Sequence, residues 1–427
     1  LPCFNSALLA VSWAKWQSAF ISKGKAINMA EGETVKTVQK THWLAIFSLF
    51  LEVTGLVGSE FLPISLLTPM AADLGISEGI AGQTITAVGL FAVAASLLLA
   101  PLMQKSDRRF ILLFFSALLI IANMMTAFAP NLFVLILGRC GLGLCVGGFW
   151  SLAAATVLRL TEPHKAAKAL GLVFAGVSAA YILAVPLASY IGQFIGWRGV
   201  FAVSCIWAAL AFICQYKALP SMSALFGKSS FAAQGQLLRT RWVLLGLAAT
   251  MCSFAGYYVL FTYMRPFFEQ RLGLSGGSLS FALLAFSLAN CFGTFIAGFI
   301  LTRFLRQALV LSHIILLCVP WLLWLGGHNP GADISLAMLW AGFFGLANVG
   351  WSNWIIRTMP EKAEIAGGLQ VAAIQLSIMT GAALGGVIFD HSGIASLFPA
   401  SSAFLCLAVV LLLASFKLFA RAKGRPV

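Results

Sequence analysis

Residues 43–66 read WLAIFSLFLEVTGLVGSEFLPISL. The stretch holds two charges, Glu52 and Glu60, in an otherwise apolar or small-residue run. A helix needs about 20 mostly apolar residues to cross the ~30 Å hydrocarbon core of a bilayer, and this run supplies them. Working outward, further runs of that kind lie at roughly 80–103, 110–128, 132–157, 167–193, 199–217, 242–264, 279–302, 308–326, 334–356, 366–389 and 396–419. The alternating pattern of a membrane barrel is absent. Helices are then the element that satisfies its own backbone in lipid. The expected fold class is an all-α membrane protein with twelve transmembrane helices.

Composition agrees. Of 427 residues, 60% are hydrophobic and 9% charged, against about 25% charged in a soluble domain. A soluble fold of this length still needs a polar skin. The net charge of +14 does not call for nucleic acid, because its placement explains it. With the N-terminus inside, twenty Lys and Arg between Lys36 and Arg425 fall in inner loops and the C-terminal tail. Arg198, Arg265 and Arg271 fall outside. Positive residues gather on the cytoplasmic side, so both termini are expected there. The nine cysteines lie, Cys3 apart, in apolar runs and read as small buried hydrophobes. No Cys-x-x-Cys or His-Glu-x-x-His occurs, and no metal or other cofactor is expected.

The organisation is expected in two halves. Residues 1–42 form a cytoplasmic lead-in, 43–217 a first six-helix half, 218–241 a polar linker, 242–419 a second half and 420–427 a tail. Within the lead-in, residues 1–28 read as a gene-model extension ahead of Met29, or as a disordered tail. A faint echo joins the halves: Gly148-Phe149-Trp150-Ser151 against Gly350-Trp351-Ser352, with Trp150 and Trp351 each eleven residues after a landmark, Arg139 and Trp340. Matched halves around a central pathway are a recurrent transporter design.

Glu60 and Glu52 are the two acids set deep in a span. A membrane carboxylate is costly unless paired, wetted or protonated, and marks an ion pathway by default. Such a carboxyl can exchange a proton near neutral pH. Eight residues separate the pair, about 12 Å along a helix and about 80° around it, so they are expected to serve one cavity at two depths. Pro63 follows Glu60 closely and can loosen the helix. Arg139 is the one basic residue placed inside a span. It is expected to pair with Glu60 or to snorkel to the interface. Trp150, Tyr257, Tyr258 and Trp351 are placed to stack on a flat heteroaromatic substrate, or to pack. Asn290, Asn348, Asn353 and Gln375 either bond between helices or contact substrate. Arg265 is an outer-gate contact or a loop charge.

These residues resemble the major facilitator superfamily in its drug:proton antiporter-1 branch, over about 41–420. Ser106-Asp107-Arg108-Arg109-Phe110 resembles the cytoplasmic loop signature, and Arg139-x-x-x-Gly143 the helix 4 motif linked to proton transfer. Pro186 is what remains of the helix 5 antiporter motif. Gly196-Trp197-Arg198-Gly199-Val200-Phe201 matches the element preceding helix 6. A finer resemblance, to the purine ribonucleoside efflux permeases, rests on residues 60–70 and 73–79, Gly147 to Trp150, Phe261 to Pro266, Gly350 to Ser352 and Gln370 to Leu376. Glu52 departs from that subfamily. The resemblance implies the major facilitator fold and proton-driven export by alternating access, with Asp107, Arg108 and Arg109 latching the inner gate. Protons are the implied coupling ion and purine ribonucleosides or bases the implied substrate. The partners are then a small molecule, protons and the lipid bilayer, with no nucleic acid, and the chain is expected to act as a monomer. Export of sugars or toxic amphiphiles stays open, as does a non-transporting receptor or membrane enzyme. No nucleophile–base pair at membrane depth favours an enzyme.

Overall fold

The computed structural model describes residues 41–102, 106–162, 165–222, 231–326, 329–359 and 363–422, so the lead-in up to residue 40, with its proposed start, lies outside the described residues. Every long element is a helix. The single-span ones are α1 (Trp43–Leu74), α2 (Glu78–Leu102), α3 (Arg108–Ala127) and α4 (Leu132–Arg159). Next comes a helix of 53 residues, Ala166–Ala218. At 1.5 Å per residue that is about 80 Å, far more than one bilayer crossing. It is two spans, because Gly196 breaks it with φ 69° and ψ 169°. Such a backbone suits glycine, which has no Cβ to clash. The spans are α5 (166–195) and α6 (197–218).

A short linker helix, Phe231–Leu238, precedes α7 (Arg241–Phe261), which continues through Met264–Pro266 into one wide turn, Phe267–Arg271. The 50-residue helix Gly276–Leu325 is non-helical at Phe304, giving α8 (276–303) and α9 (305–325). Then come α10 (Pro330–Thr358), α11 (Ala363–Ser392) and α12 (Leu397–Ala422). Ten apolar helical stretches long enough to cross a membrane, among the described residues, thus become twelve spans once the two double-length ones are divided.

Helix ends carry the expected chemistry. Asp107 caps α3 through the Arg109 amide at 2.8 Å, and Asn131 caps α4 through the Val134 amide at 3.1 Å. Gly75 ends α1 in the left-handed region, φ 64°, the conformation a helix C-terminus commonly adopts. Phe133, Phe194 and Leu325 are 75%, 72% and 72% exposed. Water would not tolerate such a surface, but lipid does.

Within the first six helices α1 lies along α5 and α6, and α2 and α3 both pack on α4. Within the last six α7 packs on α11 and α12, and α8 and α9 on α10. Two long seams join the groups, α2 on α11 and α5 on α8. The α2–α4 approach is close: a Cβ at Gly143 or Gly147 would meet the Val88 or Ala92 carbonyl. Without a hydrophobic force between helices in lipid, small residues of this kind set the packing.

Candidate functional site

The site grows from two prolines in α1. A proline has no N–H, so the carbonyl four residues earlier loses its helical donor. Pro63 frees the Ser59 carbonyl and Pro69 the Ser65 carbonyl. An orphan carbonyl inside a membrane is costly, and each finds an arginine. Arg139 of α4 donates Nη1 to Ser59 O at 2.7 Å, Nη2 to Glu60 O at 2.8 Å and Nε to Thr84 O of α2 at 3.2 Å. Arg265, just past α7, donates Nη1 to Ser65 O. The second group of helices repeats the device. Pro320 of α9 frees the Leu316 carbonyl, and Trp340 Nε1 of α10 donates to it at 3.1 Å.

This corrects one expectation. Arg139 is buried and does not snorkel, and its bonds go to backbone carbonyls of α1 and α2, not to the Glu60 carboxylate. It braces the turn that carries Glu60. The carboxyl itself is buried and lies within electrostatic reach of Arg139 without a hydrogen bond to it. Its Oε1 accepts from Gln375 Nε2 of α11 at 3.3 Å. Tyr181 of α5 and Tyr258 of α7 lie within its electrostatic reach, and their hydroxyls are 3.3 Å apart. Phe61 stacks between those two rings, with centroids 5.1 and 6.1 Å away. Glu60 therefore sits where α1, α5, α7 and α11 meet.

Glu52 does not share that place. Its carboxyl is buried toward α3, α4 and α6, beside Ser116 and within electrostatic reach of Cys145. The expectation of one cavity served at two depths is corrected. The 80° turn between the two acids is enough to carry Glu52 out of the seam and into the first bundle.

At the end of the bundle where α1 ends and α2 begins, the Arg265 guanidinium also meets Glu269 Oε1 at 2.8 Å, and Thr68 of α1 donates to Glu269 Oε2 at 2.5 Å. Asp390 of α11 accepts from Ser77 Oγ at 2.6 Å and from the Gly79 amide at 3.0 Å, at the start of α2. Gln270 donates to Glu78 at 2.8 Å. These bonds tie the first group of helices to the second. Arg265→Ala is expected to loosen this end, because it leaves Ser65 O without a donor and frees Glu269. In a cysteine-replaced background, spin labels at the exposed Ala72 and Gly277 should shift to longer distances in the variant. An unchanged distance distribution would remove Arg265 from the closure.

The loop signature sits at the opposite end of the bundle. Asp107 accepts from Ser221 Oγ at 2.5 Å and from the Met222 amide at 3.0 Å, and Arg109 donates to Tyr216 O at 2.8 Å. The Arg108 amide donates to Met222 O at 3.2 Å. Partial desolvation pulls the Asp107 carboxyl up. The Ser221 hydroxyl, the Met222 and Arg109 amides and the Arg109 charge outweigh that and hold it below the usual range. In this conformation the bonds of Asp107 and Arg109 run to α6 and the residues just past it, within the first group of helices.

The aromatic expectations divide. Tyr258 reaches the Glu60 seam. Tyr257 stacks on Phe344 and Trp340, centroids 3.4 and 4.4 Å away, and is packed between α7 and α10. Trp351 is buried edge-on to the His313 ring of α9 at 5.5 Å, inside the second bundle and away from the seam. Trp150 is half-buried and stacks on Phe174 of α5. Asn348 is exposed, and Asn353 bonds Val349 O in its own helix at 3.0 Å. Asn290 bonds Ala341 O of α10 at 3.1 Å. The sequence reading missed Phe61, Tyr181, Glu269 and Asp390. Phe61 adjoins Glu60, and Tyr181 lies one helical turn and a residue before Pro186. Those positions were the available signals. Nothing in the local sequence pairs Glu269 or Asp390 with α1 or α2.

The sequence model of the Major Facilitator Superfamily matches residues 43–370. The chain is 38% identical over 392 residues to the purine ribonucleoside efflux pump NepI of Escherichia coli (strain K12), covering 91% of this chain and 98% of that protein. The protein of the same name in Shigella dysenteriae serotype 1 (strain Sd197) is also 38% identical over 392 residues, covering 91% and 99%. Among solved structures, a D-xylose–proton symporter superposes with a TM-score of 0.72 at 16% identity, covering 90% of this chain and 98% of that one. A bacterial homologue of the human lysosomal transporter Spinster, inward-facing and unoccupied, superposes at 0.68 with 17% identity, covering 91% and 99%. With the family matched across most of its length and the fold shared end to end, the chain belongs to the major facilitator superfamily.

Proposed function

We propose that this chain exports purine ribonucleosides or closely related purines across a bacterial inner membrane in exchange for protons, acting as a monomer with both termini in the cytoplasm. The observation that carries the reading is the Glu60–Gln375 bond between α1 and α11, beside the tyrosine pair. The 38% identity to a purine ribonucleoside efflux pump supports the substrate class. Two six-helix halves, 43–217 and 242–419, rock about this seam. An ionised Glu60 accepts a charge-assisted bond from Gln375. A proton arriving at Glu60 weakens that tie, and each ligand favours the orientation it binds better. The rings of Tyr181, Tyr258 and Phe61 offer faces for a purine. The Gln375 amide, with one acceptor and two donors, matches a purine edge. Asp107, Arg108 and Arg109 serve the inner gate, and Arg265 the outer one.

The test is accumulation of labelled inosine in inverted membrane vesicles with an acidic interior, where export becomes uptake. Accumulation that rises with the pH difference and collapses with a protonophore is the expected result. Uptake indifferent to the pH difference would defeat the reading.

A further inference from the structure

Glu52 is 1% exposed, and neither carboxyl oxygen has a hydrogen-bond partner. Ser116 of α3 lies within bonding reach of it, yet the Ser116 hydroxyl donates to Gln215 Oε1 of α6 at 3.0 Å. A hydroxyl has one proton, so Ser116 offers Glu52 lone pairs alone. An ionised carboxylate only accepts, and two acceptors face to face repel. A neutral carboxylic acid donates, and then the chain closes: Glu52 O–H to Ser116 Oγ, Ser116 O–H to Gln215 Oε1. Among the described residues, the titratable group within electrostatic reach of Glu52 is Cys145 of α4; the uncharged Ser116 of α3 lies beside Glu52, and Gln215 of α6 is bonded to Ser116. Among the described residues no cation is placed to compensate an ionised form, whose burial would cost several kcal/mol.

We infer that Glu52 is a resident proton site, a neutral acid that clamps α1 to α3 and α6 through Ser116 and Gln215, and that the transporter exchanges one proton per substrate. The second clause rests on the export reading above. It follows because, among the described residues, Glu60 is then the one carboxyl at membrane depth on the seam. His313, the buried histidine, is likewise off the seam: its Nδ1 donates to Leu309 O at 2.7 Å and its Nε2 pairs with Ser253 Oγ at 2.9 Å, inside the second bundle. Glu52 thus holds the helix that presents Glu60 without taking part in the exchange.

Two measurements on the full-length protein test this. In infrared spectra, wild type minus Glu52→Gln should show a neutral-carboxyl C=O band that persists across the working pH range, ignores inosine and shifts in Ser116→Ala, which loses the acceptor. No such band, or one that bleaches as pH rises, would overturn the resident site. In proteoliposomes with the membrane potential clamped at zero, one proton per neutral substrate gives about tenfold accumulation per pH unit and two give about a hundredfold. The expected ratio is about tenfold in wild type and the same in Glu52→Gln, whatever its rate. A hundredfold ratio that drops to tenfold in Glu52→Gln would place Glu52 in the exchange. Failure of wild type to accumulate inosine at all would strike the export reading instead, and the infrared band still decides Glu52.

Discussion

Glu60→Gln is expected to abolish gradient-driven accumulation while leaving inosine exchange intact. A glutamine keeps the size of the carboxyl and can still bond Gln375, so the seam between α1 and α11 holds. What it lacks is a proton to give up. Wild-type proteoliposomes should concentrate labelled inosine about tenfold for a one-unit pH difference at zero potential. The variant should settle at the external concentration. Equilibrium exchange of labelled for unlabelled inosine needs the halves to rock but moves no net proton, so it should persist. Loss of both activities would mean that the side chain is needed for binding or shape. Retention of both would remove Glu60 from the energy coupling. The effect is all or none because, among the described residues, no other carboxyl stands at membrane depth on the seam to substitute for it.

Arg139→Gln should damage folding more than any surface change, by roughly 3 kcal/mol or more. The change removes three charge-assisted bonds and leaves the Ser59 carbonyl without a donor, at about 1–3 kcal/mol for each lost or orphaned group. The cause can be isolated. Pro63→Ala restores an amide to α1 at the position from which Ser59 O normally receives its bond. In the Arg139→Gln background it should recover about 1 kcal/mol beyond its effect in wild type. Thermal unfolding in detergent, read as a double-mutant cycle, measures that excess. Strict additivity would mean that the Pro63-freed carbonyl is not what Arg139 serves. Rescue of stability should not rescue transport fully, since Arg139 also bonds the carbonyl of Glu60 itself and so sets where that side chain points.

The bilayer fold was legible because lipid imposes a crude rule. About twenty apolar residues must run together, and the charges between them must sort by side. The structure adds what such runs cannot show. At Gly196 and Phe304 two spans join with hardly a break, so the boundaries came from apolar length and not from any loop. Glu60, Gln375 and Tyr258 were visible as polar groups at membrane depth, and the structure brings all three to one seam. The eleven-residue echo had more content than its letters. Arg139 and Trp340 both take a carbonyl released by a proline, Pro63 in one half and Pro320 in the other. Trp351 and Tyr257 take the packing alternative, which sequence left open because an aromatic at helical spacing looks the same whether it faces a pathway or a neighbouring helix. Glu52 was misjudged for a related reason. Sequence gives its depth, and its 80° offset from Glu60 acquires meaning only once α3 and α6 are seen on that side.

The most direct measurement follows protons rather than substrate. Purified protein in weakly buffered detergent, mixed with inosine, should release a proton as substrate displaces it from the coupling carboxyl. A soluble pH dye reads the release, which should approach one per bound inosine in wild type and in Glu52→Gln. Glu60→Gln should bind inosine and release none. Proton release that survives in Glu60→Gln would mean that the exchanged proton lives elsewhere in the molecule.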